Sequence, residues 1–285
     1  MLPMKKLISV LMMVAALVVA GCCCATQAQA QKQAPKQPRK VALQSYSLRV
    51  FTLEEALNKV KGLGLDGIEC FPGQRLSDKY PKAKVGPSLN AEERAYMKKL
   101  LKDANLKMIS FGVTGATKEA EIEKICQFAK EMGAERVLTE APVYWIPVWN
   151  KYCKKYGLTM CLHHHATNSS NQYWDAEVMK KYVSGYSNVR ANPDPGHWGR
   201  AGRDLVKSLK TLEGLIASVH MKDEMRFNDI NNKCVPLGEG VLDIKGVLAE
   251  LDRQGYDGYF VIEYEADWQD NVGKIKKCID YLRKN

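Results

Sequence analysis

From position 41 onward, short apolar runs alternate with amphipathic segments at close intervals. The runs predict strands over Val41–Tyr46, Gly67–Phe71, Lys107–Phe111, Arg136–Glu140, Leu158–Leu162, Val189–Asn192, Ile216–Val219 and Tyr259–Ile262. They are continuous rather than alternating, the pattern of strands covered on both faces. Between them, helical spacing predicts helices over 52–64, 90–104, 118–132, 146–156, 175–186, 204–213, 243–254 and 271–282. Thr52 with Glu55 and Asn90 with Glu93 have capping-box spacing, which fixes two of these starts. Eight strand–helix pairs in one uninterrupted run predict a single (β/α)8 TIM barrel in the α/β class. No Gly-rich phosphate turn follows the first strand, which argues against an open dinucleotide-binding sheet. Residues 41–285 are the length of one such barrel, typically about 250 residues.

The first forty residues lack this alternation. Lys5 and Lys6 precede the apolar run Leu7–Ala20, which is too short to span a bilayer comfortably. Val19-Ala20-Gly21-Cys22 resembles a bacterial lipobox, which implies a lipoprotein signal peptide over 1–21 and lipidation of Cys22. Residues 22–40 are rich in Gln, Ala, Pro and Lys and read as a flexible tether. The expected location is that of an exported bacterial lipoprotein, facing the periplasm or held at the outer membrane. The membrane is then a partner only through the lipid anchor.

Charge and cysteine content change the picture modestly. The formal net charge is +10, but six cationic residues and no acidic ones lie in residues 1–40. The barrel itself therefore carries about +4, too little to suggest a nucleic-acid partner. Of nine cysteines, Cys22, Cys23 and Cys24 sit at the lipidation signal. The other six lack CxxC spacing and read as mostly buried thiols, with one disulfide open but unassigned.

Catalytic residues of a (β/α)8 barrel gather at the C-terminal ends of its strands. Those positions hold Glu69, Glu140, His163-His164-His165, Asp194 with His197, His220 with Lys222, and Glu263. All five histidines of the chain fall after strands five, six and seven. Mixed imidazole and carboxylate donors suit Mn²⁺, Zn²⁺, Co²⁺ or Fe²⁺ rather than Ca²⁺. A catalytic site for one divalent metal is the expectation.

Asp194-Pro-Gly-His197, Val219-His220-Met-Lys222-Asp223, Leu237-Gly-Glu-Gly240 and Tyr256–Glu265 together resemble the xylose isomerase-like barrel superfamily of sugar phosphate isomerases and epimerases. The resemblance implies that Asp194, His220 and Glu263 are metal ligands. The fourth ligand is a Glu after strand five in that family, and His163 stands in its place. Glu263, His163 and Glu140 are then the candidate catalytic groups. His165, His197, Trp198, Lys222 and Arg226 are the candidate substrate-binding residues.

The implied activity is metal-dependent proton abstraction beside a carbonyl of a small carbohydrate, ending in isomerisation or epimerisation. Elimination, as in 3-keto-glycoside lyases, is the alternative that an exported location favours. A non-catalytic sugar-binding barrel and an apurinic-site-type endonuclease are further alternatives. The nuclease is disfavoured by the absence of histidines before His163. A homo-oligomer is compatible with all of these.

Overall fold

The computed structural model describes residues 38–167 and 172–285. The expected signal peptide, the expected lipidation site Cys22 and nearly all of the expected tether lie outside these residues. Eight parallel strands form one sheet: β1 (Lys40–Gln44), β2 (Gly67–Cys70), β3 (Met108–Thr114), β4 (Arg136–Thr139), β5 (Thr159–Leu162), β6 (Val189–Ala191), β7 (Val219–Met221) and β8 (Tyr259–Ile262). Their spatial order is β6-β5-β4-β3-β2-β1-β8-β7. The two end strands approach each other through a parallel bridge between Ala191 and Ile216. The His220 N–H donates to the Pro193 carbonyl at 3.0 Å just above it.

The helices are α1 (Leu53–Val60), α2 (Ala91–Asp103), α3 (Glu119–Glu131), α4 (Ile146–Lys155), α5 (Ala176–Val183), α6 (Pro195–Arg200), α7 (Leu205–Thr211), α8 (Ile244–Arg253) and α9 (Val272–Lys284). Both capping boxes form, at Thr52–Glu55 and Asn90–Glu93. Asp175, Asp204 and Asp243 cap α5, α7 and α8, each satisfying amides that a helix start would otherwise leave unpaired.

Three local outcomes differ from the sequence expectation. Strand one ends at Gln44, because its side-chain carbonyl accepts the Tyr46 N–H and Ser45–Leu48 turns into a short 3-10 helix. Strand seven runs over Val219–Met221 instead of Ile216–Val219, since Ile216 is spent on the bridge to β6. Helix α6 was not anticipated. Its six residues include two glycines, and it starts because Asp194 accepts the His197 N–H at 3.0 Å with Pro195 in the first turn. The fold also begins before position 41. Arg39 is 7% exposed and holds Asp252 with two hydrogen bonds, at 2.6 and 2.8 Å.

Strand residues alternate in direction, so each strand offers one face to the barrel interior. Ala42, Ile109 and Val261 meet there as a small apolar plug. Two residues further along the same faces come Gln44 on β1 and Glu263 after β8. The interior thus passes from apolar to charged toward the C-terminal end. The outer layer between sheet and helices is one continuous apolar core. Six cysteines are buried free thiols among the described residues, with Cys126 and Cys153 sulfurs 3.8 Å apart.

Candidate active site

The charged residues above the plug are almost fully enclosed. His220 is inaccessible and lies between two carboxylates. Its Nε2 is 2.7 Å from Glu69 Oε1, and its Nδ1 is 2.9 Å from Glu263 Oε2 and 3.8 Å from Asp194 Oδ2. Burial works against a charge on this ring. Glu69 and Glu263 outweigh it and push the His220 pKa up to about 10.

Lys222, two residues on and on the same strand face, is also enclosed. Its Nζ is 2.8 Å from Glu263, 3.0 Å from Asp194 and 3.2 Å from Glu265, and it donates to His197 Nε2 at 3.0 Å. Burial disfavours its charge, but these carboxylates hold its pKa well above the ordinary lysine value. Burial would raise the carboxyls of Asp194 and Glu263. The cations Lys222 and His220 prevail and keep both below the usual carboxylate range.

The loop after β5 supplies three imidazoles with separate tasks. His163 is buried, and its Nδ1 donates to Asn192 Oδ1 at 2.7 Å. Its Nε2 is enclosed and has no partner. Burial and the neighbouring His220 hold His163 well below the ordinary histidine pKa. His164 stacks on Trp198 with ring centroids 5.1 Å apart, and its Nε2 accepts the Asp194 N–H at 3.0 Å. It therefore fixes the backbone that carries Asp194. His165 is at the rim, 46% exposed in its side chain, with Nδ1 3.0 Å from Glu140. Burial lowers its basicity, and the Glu140 hydrogen bond more than restores it, so the net pKa is raised.

His163, Asp194 and His220 each offer a donor atom within 4.8 Å of the others, all buried. With Glu263 beside them, two imidazoles and two carboxylates form a mixed nitrogen–oxygen set that suits a divalent transition metal. The unpartnered His163 Nε2 is the observation that favours the fit. A second grouping, His163, His165 and His197, shares His163. One Nε2 cannot serve both.

The other candidate residues are placed in different surroundings. Trp198 is fully buried, with its indole N–H given to the Trp174 carbonyl, so its ring is not open to a sugar. Arg226 is 61% exposed in its side chain and pairs with Asp229 rather than joining the cluster. Lys222 is enclosed among three carboxylates, Asp194, Glu263 and Glu265. His197 is 3% exposed, with its ring centroid 4.7 Å from that of His165. Asp223 and the Leu237–Gly240 motif are structural. The Asp223 carboxylate accepts the N–H groups of Gly238, Gly240 and Leu242 at 2.9 to 3.2 Å. Gly196 is required by a close approach, since a Cβ there would sit 2.4 Å from Lys222 Cβ.

Glu69 is legible in the sequence as a strand-end carboxylate near the site, though not as the support of His220 in particular. It is fully buried, and it takes hydrogen bonds from Gln44 Nε2 at 2.6 Å and from the Ser110 hydroxyl. Asn192 and His164 were likewise missed as supports. Nothing in their local spacing distinguishes them.

Fold and centre together define a (β/α)8 barrel with a histidine–carboxylate site at the C-terminal ends of its strands. The chain belongs to the xylose isomerase-like TIM barrel family, which matches residues 57–285. It is 24% identical to the inosose dehydratase of Mesomycoplasma hyopneumoniae (strain J / ATCC 25934 / NCTC 10110), over 81% of this chain and 88% of that protein. An uncharacterized protein from Parabacteroides distasonis ATCC 8503 is 30% identical in its crystal structure, with a TM-score of 0.70, covering 86% of this chain and 98% of that one. The D-allulose 3-epimerase from Methylomonas sp. shares the fold at 15% identity and a TM-score of 0.68, over 88% of this chain and 98% of its own.

Proposed function

We propose that the barrel is a metal-dependent enzyme that removes a proton from the carbon beside a carbonyl of a carbohydrate and completes the reaction by elimination. The observation that carries this reading is the buried meeting of His163, Asp194 and His220, with an unpartnered His163 Nε2. These residues and Glu263 would hold the ion. When bound, it supplies Lewis-acid polarisation of the substrate carbonyl and its developing oxyanion.

The chain's own groups divide the remaining work. Glu263, kept ionised by Lys222, accepts the proton from carbon. The C–H electron pair forms the new double bond, and the bond to the β-oxygen breaks with its pair going to that oxygen. His165 donates a proton there, oriented by Glu140 at 3.0 Å and open to the rim. Lys222 provides fixed positive charge beside the reacting carboxylate. The likeness to inosose dehydratases over most of the chain supports elimination. So does His163, because a two-base epimerisation calls for a carboxylate on each face. The segment 1–40 supports an exported, lipid-anchored enzyme that meets glycosides rather than cytoplasmic sugar phosphates. Substrates of the 3-keto-glycoside class follow from that location.

The test is incubation of the metal-loaded protein in D2O with a 3-keto-glucoside, an inosose and a simple ketose, followed by NMR. Expected are exchange at the carbon beside the carbonyl and an unsaturated product, both lost in Glu263→Gln. Exchange with an epimer and no unsaturated product would replace elimination by epimerisation. No exchange with any substrate would overturn the catalytic reading.

A further inference from the structure

Two residues stand behind the two imidazoles of the centre, each bonded to one ring nitrogen. Glu69 meets His220 at Nε2, the ring edge away from Asp194 and Glu263. Its own carboxylate is saturated: Gln44 holds Oε1, the Ser110 hydroxyl holds Oε2, and the residue is wholly enclosed. Gln44 is in turn anchored to the Gly112 carbonyl at 2.8 Å. Asn192 repeats the arrangement on the other imidazole. Its Oδ1 takes the Nδ1 proton of His163 at 2.7 Å, and it too is wholly enclosed. An oxygen that only accepts fixes the proton on Nδ1 and leaves a lone pair on Nε2. That is the way ligating histidines are oriented and made more basic by the groups behind them.

We infer that Glu69 and Asn192 are positioning residues for His220 and His163, and that the resulting two-imidazole, two-carboxylate set selects Zn²⁺ over Mn²⁺. This rests on the metal reading of the proposed function. The selectivity follows from donor type. Carboxylate and water ligands suit Mg²⁺ and Mn²⁺, whereas imidazoles favour zinc and the later first-row ions. His163 brings a second nitrogen donor to the set, so it is the residue that sets the preference. The two supports are not equivalent. Glu69 is an acid and strengthens its imidazole as a donor. Asn192 is neutral and fixes only the tautomer and the ring plane.

The experiment is chelator-buffered titration of the metal-free full-length protein with Zn²⁺ and with Mn²⁺, with thermal unfolding of the metal-free protein as the folding control. The wild type is expected to bind one Zn²⁺. Glu69→Ala should weaken zinc binding by roughly 10- to 100-fold, the range seen when such supports are removed. Glu69→Gln keeps the contact without the charge and should fall between. Asn192→Ala should lose about tenfold and Asn192→Asp should recover it. His163→Glu should raise the Mn²⁺-to-Zn²⁺ affinity ratio by at least about tenfold, toward the preference of an oxygen-rich site. Cobalt substitution provides a readout that a merely structural role would not move. The visible d–d bands of the Co²⁺ protein should shift in Glu69→Gln, a change at the metal that a loss of stability alone would not produce. Zinc affinity and Co²⁺ bands that match wild type in Glu69→Gln and Asn192→Ala would overturn the positioning role and leave the metal reading intact. An unchanged Mn²⁺-to-Zn²⁺ ratio in His163→Glu would overturn the selectivity. A wild-type protein that binds neither ion would overturn the metal reading, and the inference with it.

Discussion

Strands β5 to β8 end in His163, Asp194, His220, Lys222 and Glu263, whereas β1 to β4 contribute Gln44, Glu69, Ser110 and Glu140. The first group holds the donor atoms that face one another across the buried centre. The second group stands behind them: Gln44 and Ser110 secure Glu69, Glu69 secures His220, and Glu140 secures His165. Most of the facing donors come from β5 to β8, and β1 to β4 add orientation to that already supplied by Asn192 and His164. A third region makes the contrast sharper. Outer helices carry many ion pairs, such as Lys277 with Glu239 at 2.8 Å, but both side chains there are about half exposed. Equal distances do not mean equal energies, because only the buried groups have lost their water.

The largest effect is expected from Asp194→Ala. It removes a donor, a partner of Lys222 and the cap of α6 together. Stoichiometric metal and turnover should both disappear, as read by elemental analysis and the D2O assay. A variant that keeps its metal would dissolve the distinction between the two halves. Next is Lys222→Met, which leaves three carboxylates facing one another in an enclosed space. Removing one partner of a buried pair costs about 3–5 kcal/mol. Urea unfolding of the metal-free protein measures it, and a loss below about 1 kcal/mol would place this cluster with the surface pairs.

Glu224 tests the same idea through pH. It is fully buried beside Arg200 at 2.7 Å, and burial raises its pKa from the ordinary 4.5 to about 7 despite that partner. The folded chain therefore holds this proton more tightly than the unfolded one. The associated stability is fully present below pH 4.5 and is lost as pH rises through about 7. The loss is up to about 3 kcal/mol at roughly 1.4 kcal/mol per unit. Glu224→Gln should remove that slope from the denaturation midpoints measured between pH 4.5 and 8. A wild-type profile already flat in this window would contradict it. The smallest effect is expected from Lys277→Ala, at most about 0.5 kcal/mol, because its pair is solvated. A loss comparable to that of Lys222→Met would erase the contrast with the buried cluster.

Much of this fold is legible along the chain. Buried parallel strands need continuous apolar runs, and helix starts need a side chain to accept their free amides, so both leave local marks. The capping boxes at Thr52 and Asn90 are in place, and the strands fall close to where the apolar runs predict them. The misplacement of strand seven has a non-local cause. Ile216 pairs with Ala191 across the barrel closure, a partner no local pattern announces. Helix α6 depends on the Asp194 carboxylate turning back onto its own chain, so a residue read as a metal donor is also a cap.

The sequence by itself determined the alternation of strand and helix and the gathering of all five histidines, His163 among them, after three neighbouring strands. These are properties of order and residue type, and a barrel converts order directly into placement at the strand ends. Only the tertiary structure decided which polar groups face the centre and which support it. Trp198 and Lys222 turned inward, Arg226 turned outward, and Glu69 came 151 positions along the chain to meet His220. The reason is physical. Burial and the partner across the barrel set the charge, tautomer and direction of each side chain, and both come into being only when the sheet closes.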